Sequence, residues 1–430
     1  MNIREVIDKI NADVLTPLFG QLYGCDENII ARQKRRYIDE IERFAQLYPL
    51  REDIRLFSAP GRTEIGGNHT DHQHGCVLAA AVNLDAVAVV SFHDEGVIRI
   101  SSRSYEPFEV SLADLSVNAG EGGSAALVRG IVSRFAQMGV AVGGFDACIT
   151  SDVLSGSGIS SSAAFEILIG TIIDAQFNGG KAGAVEIAKI GQYAENVYFG
   201  KNCGLMDQTV SAVGGLVAID FHDTRNPMLR CFSYDFEQAG YCLCITDTKG
   251  SHADLTDEYA VVRAEMESVA AHFGKGCLRE VDEKGFFASL PEVRKTCSDR
   301  AILRAAHFFE EHRRAQMEAE ALECSDISAF LNLVRLSGES SATLLQNLYS
   351  CTQPAQQAIP LGIMLSKHIL QGRGAVRVHG GGFAGTIQAF VPLECAALYM
   401  KEMDSVFGEG SCMKMRIRPI GGVELTSPQD

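Results

Sequence analysis

The segment LSGSGISSSAAFEI, residues 154–167, combines the residue types that a phosphate group needs. Gly156 and Gly158 let the backbone bend close around a ligand, with Ser157 between them. Ser160, Ser161 and Ser162, followed by Ala163, stand where the first turn of a helix leaves free N–H groups at the positive end of its dipole. A plain loop can have the same composition. A second segment, PGRTEIGGNHTDHQHG at 60–75, gathers Arg62, Glu64, Asn68, His69, Asp71, His72 and His74 on a glycine-punctuated turn between strands. Polar side chains this dense on a bent backbone suit the reading of sugar hydroxyls, although a polar turn is the plainer alternative. His69, Asp71, His72 and His74 could also offer metal ligands, but no second cluster completes a coordination pattern.

A third segment, KNCGLMDQ at 201–208, presents Asp207 just after a helix that carries Glu195. Ile187, Gly191 and Glu195 are spaced four apart, which puts Glu195 on the apolar stripe. A carboxylate facing inward needs a partner; a magnesium ion would serve, and so would a salt bridge. A fourth segment, VHGGGFAGTIQAF at 378–390, breaks two strand-like runs with glycines, where another backbone or a ligand must come close. No Walker A sequence is present: Gly200-Lys201 lacks both the earlier glycine and the following Ser/Thr.

The elements that must position these residues follow from periodicity. Residues 2–18 and 27–47 read as amphipathic helices, the second marked by Ile30, Gln33, Tyr37, Ile41 and Phe44. A strand at 54–58 leads into Pro60-Gly61, and runs near 76–82, 85–92 and 97–102 suggest a hairpin-rich sheet. A strand near 145–150 precedes the serine-rich turn. The helix behind that turn has Ala163, Ala164, Ile167, Leu168, Thr171 and Ile172 at helical spacing. Another helix covers 183–199, strands recur at 216–221, 241–247, 375–379 and 386–391, and helices fill 257–372. Strands cluster at the start of each half and helices follow, which is an α+β pattern rather than a doubly wound one. The polar crossing HDTRNP at 222–227 marks a domain junction, giving expected domains of 1–228 and 229–430.

Composition bounds the partners. A chain of 430 residues is long for a single core. With 38 basic and 54 acidic residues the net charge is −16, which argues against nucleic acid or an anionic membrane as a partner. Thirteen cysteines, scattered and odd in number, read as reduced thiols. The N-terminus has no apolar signal core, and Asn83 and Asp85 interrupt the most apolar stretch, so a cytoplasmic protein is expected.

Together the segments resemble one family, the GHMP small-molecule kinases, and within it the galactokinases. Arg62 and, nine residues on, Asp71 in GRTEIGGNHTD match the galactokinase signature. Residues 156–163 match the nucleotide loop Gly-x-Gly-(Leu/Ile)-Ser-Ser-Ser-Ala, and Cys203–Gln208 match CG(I/L)MDQ. Gly380–Gly385 match GGGFGG with Ala384 replacing one glycine, and Tyr259 has a counterpart in the SEYxxRR segment.

The resemblance implies a two-lobed GHMP kinase fold, with mixed and antiparallel sheets packed by helices and the active site between the lobes. It implies transfer of the γ-phosphoryl of ATP to the anomeric hydroxyl of galactose, in a monomer. Asp207 would take or orient the proton of the 1-hydroxyl, and Arg62 would hold Asp207 ionised and offset charge on the phosphoryl group. Gly156, Ser157, Gly158, Ser160, Ser161, Ser162 and Ala163 would hold the nucleotide, with Ser162 and Glu195 on Mg2+. Asn68, His69, Asp71, Gly204, Tyr259 and Glu64 would face the sugar, while residues 380–385 would buttress the nucleotide loop. Departures from the family pattern concern the sugar: Asn68 stands where the family has Glu, and Glu64 where it has Asn. His72 replaces a Tyr and Leu154 a Pro. In the family the Glu at the Asn68 position looks toward the sugar's 6-hydroxyl, so the Glu64/Asn68 exchange leaves galacturonate, L-arabinose and N-acetylgalactosamine as alternative substrates. A non-catalytic galactose/ATP sensor is a further alternative, against which stand Asp207, Arg62 and Ser162-Ala163.

Overall fold

The computed structural model describes the chain except residues 104, 119–121, 154–157, 202, 251–254 and 427–430 and the side chain of Thr256. Its strands are β1 (Arg55–Gly66), β2 (Cys76–His93), β3 (Val97–Ser102), β4 (Phe108–Ser111), β5 (Gly144–Ser151), β6 (Leu216–Asp220), β7 (Met228–Phe232), β8 (Tyr241–Asp247), β9 (Ala375–Val378), β10 (Thr386–Pro392), β11 (Cys412–Met415) and β12 (Val423–Glu424). One sheet runs β12-β1-β2-β5-β3-β4, with β6 on the free half of β2 and β7 on β6. The other runs β11-β8-β10-β9. Pairing is antiparallel except between β3 and β5, so the sheets are mixed and antiparallel as expected.

Where separate strand runs were expected near 76–82 and 85–92, the chain forms one continuous strand, β2. The polar residues that interrupt the apolar stretch are satisfied by groups distant in sequence. Asn83 accepts from Arg416 N and donates its own N–H to Arg416 O. Asp85, fully buried, accepts from Arg36 (2.7 Å), Arg418 (3.0 Å), Tyr23 (2.6 Å) and Ser58. The first N-terminal helix is also two pieces, Ile3–Asn11 and Thr16–Tyr23, because Asp13 takes a positive φ and Pro17 cannot continue the ladder.

The serine-rich turn feeds helix Ser161–Ile173, which is buried all round through Ala163, Ala164, Ile167, Leu168, Ile169, Ile172 and Ile173. A helix apolar on every face belongs inside a core, and each fully buried Ile or Leu contributes about 1.5–3 kcal/mol. It packs against β1 and helices Gly183–Tyr193 and Met206–Val213. The close approach needs Gly170, where a Cβ would lie 2.6 Å from Ile187 Cγ2. The helix 183–199 expected from periodicity closes in a π turn at Ala194–Phe199 that carries Glu195.

The boundary at 228 falls at the first residue of β7, which still pairs with β6 in the first sheet. The C-terminal segment then returns to that sheet: β12 pairs with β1, and the buried Arg418 reaches Asp85. Phe57 and Ile149 of the first sheet share one core with Ile245 and Phe390 of the second. No helix among the described residues is long and apolar enough to cross a membrane.

Candidate active site

Register shifts in β1 between Pro60 and Arg62, and between Glu64 and Gly66, bend the strand where its polar residues begin. Such bulges re-aim side chains. Arg62 turns its guanidinium onto Asp207, donating from Nε to Oδ1 at 2.7 Å and from Nη2 to Oδ2 at 2.8 Å. A planar fork on a carboxylate is the strongest form of this pairing. The remaining Nη1 donates to Gly158 O at 2.5 Å, and Arg62 N donates to Ile159 O at 3.0 Å. Gly61 permits this approach, since a Cβ there would lie 2.8 Å from Ile159 O.

Asp207 sits in the first turn of helix Met206–Val213, where its charge suits the helix dipole. Burial opposes ionisation, but Arg62 through charge and hydrogen bonds, with Ser160, holds the carboxyl below its ordinary range. Ser160 precedes helix Ser161–Ile173 in a left-handed conformation, φ +57°. Its hydroxyl donates to Asp207 instead of capping the helix, so no side chain caps that helix start. A helix N-terminus left this way is a seat for an anion, and Gly158, Ser161, Ser162 and Ala163 lie at it. Gly156 and Ser157 lie outside the described residues.

The polar turn that follows β1 brings Asp71 within reach of the Asp207 charge. Asp71 Oδ2 lies against Gly204, where a Cβ would stand 2.8 Å away. Burial pushes the Asp71 carboxyl up and the His69 imidazole down. His69, at φ +59°, bonds Gly381 O through Nε2 at 2.9 Å and stacks on Tyr259 with ring centroids 6.4 Å apart. Its Nδ1 faces His72 Nε2 at 3.4 Å. The Tyr259 hydroxyl donates to Gly382 O at 3.2 Å, and its ring fills the space a Cβ on Gly381 would need. Asn68 donates from Nδ2 to Glu64 Oε1 (2.9 Å) and Gly380 O (2.7 Å), and Glu64 also accepts from Arg377 at 2.9 Å.

Glu195 is nearly buried and is met by Lys201 Nζ at 3.0 Å and by Gln208 Nε2 at 2.9 Å. Gln208 Nε2 also donates to Glu166, whose second oxygen is buried without a partner. An ammonium against one oxygen shows that positive charge is stabilised here. The Ser162 hydroxyl and the Glu195 carboxylate are hard oxygen donors of the kind Mg2+ takes, so in donor chemistry these two residues fit the ion. Among the described residues no group of three or more His, Cys, Asp or Glu is arranged to hold a metal unaided, the histidine cluster at 69–74 included.

The sequence reading missed the residues that hold the sugar segment from behind. Helix Asp299–Glu323 carries Arg304, His307, Glu311, Arg314 and Glu318, all buried. Glu311 Oε1 accepts from Gly67 N, Asn68 N and Ser337 Oγ, while His307 Nε2 bonds Asn68 O at 2.9 Å. Their spacing alternates three and four, and a charged stripe at core spacing is the signal that could have exposed them. His379 was missed too; it bridges Thr63 and Thr386 at 2.9 Å each, beneath Gly158. The glycine-rich turn therefore touches the segment at 60–75 through Gly380 and Gly381, and its flanking His379 and Thr386 lie under Gly158.

Comparison with known proteins identifies the family. A galactokinase galactose-binding signature matches residues 42–92, and a GHMP kinase N-terminal domain matches residues 126–215. A galactokinase of Streptomyces coelicolor is 30% identical over 378 residues, spanning 87% of this chain and 94% of that protein. Among solved structures, Lactococcus lactis galactokinase complexed with galactose superposes with a TM-score of 0.77 at 21% identity, covering 89% of this chain and 98% of that one. Methanococcus jannaschii mevalonate kinase superposes at 0.60 with 15% identity, covering 85% and 98%.

Proposed function

The chain belongs to the galactokinases of the GHMP kinase family, and from that we propose how its site carries out the reaction. The enzyme moves the γ-phosphoryl group of ATP to the anomeric hydroxyl of galactose, giving galactose 1-phosphate and ADP. The carrying observation is the two-pronged Arg62–Asp207 pair, set between the helix start at Ser161 and the sugar segment. Asp207, kept ionised by Arg62, accepts or orients the proton of the sugar 1-hydroxyl. Arg62 also faces the charge that develops on the transferred group. Gly158 and Ser160–Ala163 seat the phosphates, together with Gly156 and Ser157. When bound at Ser162 and Glu195, Mg2+ supplies charge neutralisation of the phosphates. His69, Asp71, Gly204, Tyr259 and Glu64 frame the sugar.

The alternatives raised by Asn68, namely C6-altered sugars, N-acetylgalactosamine or a silent sensor, are not favoured by the family relationship. We further take the protein to act as a cytoplasmic monomer without nucleic acid or membrane partners, in keeping with its charge of −16. The test is ADP release with Mg2+ and galactose, galacturonate, L-arabinose or N-acetylgalactosamine side by side. The expected result is the highest kcat/KM with galactose and a 1-phosphate product. A higher value with another sugar, or no turnover with any, would overturn the assignment.

A further inference from the structure

Asn68 is almost wholly enclosed, 1% exposed, and its side-chain amide has no hydrogen left for a ligand. An amide carries two N–H donors on its nitrogen. Here one goes to Glu64 Oε1 and the other to Gly380 O, while Oδ1 accepts from Asn347 Nδ2 at 2.8 Å. Three separate segments are thereby tied to one side chain: strand β1, the glycine-rich turn, and the stretch following helix Ile327–Ser340. Its backbone is held as well, by Glu311 on the N–H and His307 on the carbonyl.

A glutamate at this position could make neither donation. It would bring a second carboxylate to within hydrogen-bond reach of Glu64, whose own carboxyl burial already pushes up, and would face Gly380 O with like polarity. The exchange of Glu and Asn between positions 64 and 68 is therefore one compensated unit. The pull on Gly380 reaches further, because Gly381 O is held by His69 and Asn347 and the flanking His379 and Thr386 lie under Gly158.

Resting on the galactose kinase reading above, we propose that Asn68 is a positioning residue that locks the sugar segment to the glycine-rich turn. Through that turn it sets the sugar against the nucleotide loop, and it does not read the hydroxyl at C6.

The test compares wild type, Asn68→Ala and Asn347→Ala with galactose and 6-deoxygalactose, measuring sugar dissociation constants by calorimetry and the KM for ATP. The inference predicts that Asn68→Ala weakens both sugars by the same factor, on the order of ten-fold, and raises the KM for ATP. Asn347→Ala, which removes the bond to Oδ1, should show the same pattern at smaller size. In Asn68→Asp the donors are lost, and adding Glu64→Gln should restore binding several-fold by supplying a donor from the other side. If the penalty of Asn68→Ala with galactose disappears with 6-deoxygalactose, Asn68 reads the C6 hydroxyl and the inference is overturned. The same holds if the KM for ATP is unmoved in both alanine variants. Should Asn68→Ala not fold, Asn347→Ala decides by the same two readouts. Wild-type turnover of galactose separates failure of this inference from failure of the reading on which it rests.

Discussion

Arg62 and Asp207 lie 145 positions apart in the chain and meet through two parallel hydrogen bonds of 2.7 and 2.8 Å. The pair makes Asp207 an anion in a place where burial alone would protonate it. Replacing Asp207 with Asn keeps the shape and removes the acceptor of the sugar proton. The expected loss in kcat is about 10²–10⁴-fold, with nucleotide affinity, read by equilibrium binding, within about two-fold of wild type.

The same pair sets a pH dependence. A base whose pKa is lowered works above that pKa and fails as pH falls through it. In Arg62→Met the largest lowering influence is gone, Ser160 and Lys201 still act and burial remains, so the acidic limb of kcat/KM should move to higher pH. A pH–rate profile of both proteins measures this. An unshifted limb would mean that another group controls it.

Gly204 and Asp71 make a separate sugar-side test. A methyl at Gly204 would stand 2.8 Å from Asp71 Oδ2 and must displace the carboxylate. Gly204→Ala should raise the KM for galactose about ten-fold or more, while the affinity for ATP, measured without sugar, stays near wild type.

Buried histidines couple fold and pH. Burial lowers His307 to about 4, despite Glu311 and Asn68 O beside it, and lowers His379 to about 3. In the unfolded chain both titrate near 6.5. The unfolded state therefore binds protons that the native state refuses, so their contribution is intact above pH 6.5 and is lost as pH falls towards 4 and 3. Glu311, lowered to about 2, adds its own loss only below its unfolded value near 4.5. Between pH 6.5 and 4.5 each histidine should cost about 1.4 kcal/mol per pH unit. His307→Gln should flatten that slope in urea unfolding by about its share.

Asp85 offers a purely structural control. Fully buried and bonded to Arg36 and Arg418, it joins the N-terminal helices, β2 and the C-terminal segment. Removing one partner of a buried ion pair costs about 3–5 kcal/mol. Asp85→Asn should lower the urea midpoint accordingly while leaving kcat at 25 °C unchanged.

Short-range physics made much of this legible in the sequence. The helix behind Ser161, the pairing of glycines with a helix start, and the strands at 216–220, 241–247 and 386–392 follow from periodicity and turn chemistry within a few residues. The resemblance supplied Arg62, Asp207 and Glu195 as a set, because fixed motifs carry their own spacing. What waited for tertiary structure was the pairing of buried polar groups far apart in sequence. Asn83 and Asp85 interrupt the apolar stretch in the sequence, yet they lie inside one strand because Arg416, Arg36 and Arg418 come to meet them. Asn68 read as a residue facing the sugar, yet its donors are taken by Glu64 and Gly380. The charged stripe marks Glu311 and His307 as buried, but nothing local shows that they grip a loop some 240 residues earlier. A buried polar atom must find a partner, but which one it finds depends on how the lobes pack, and no local pattern records that.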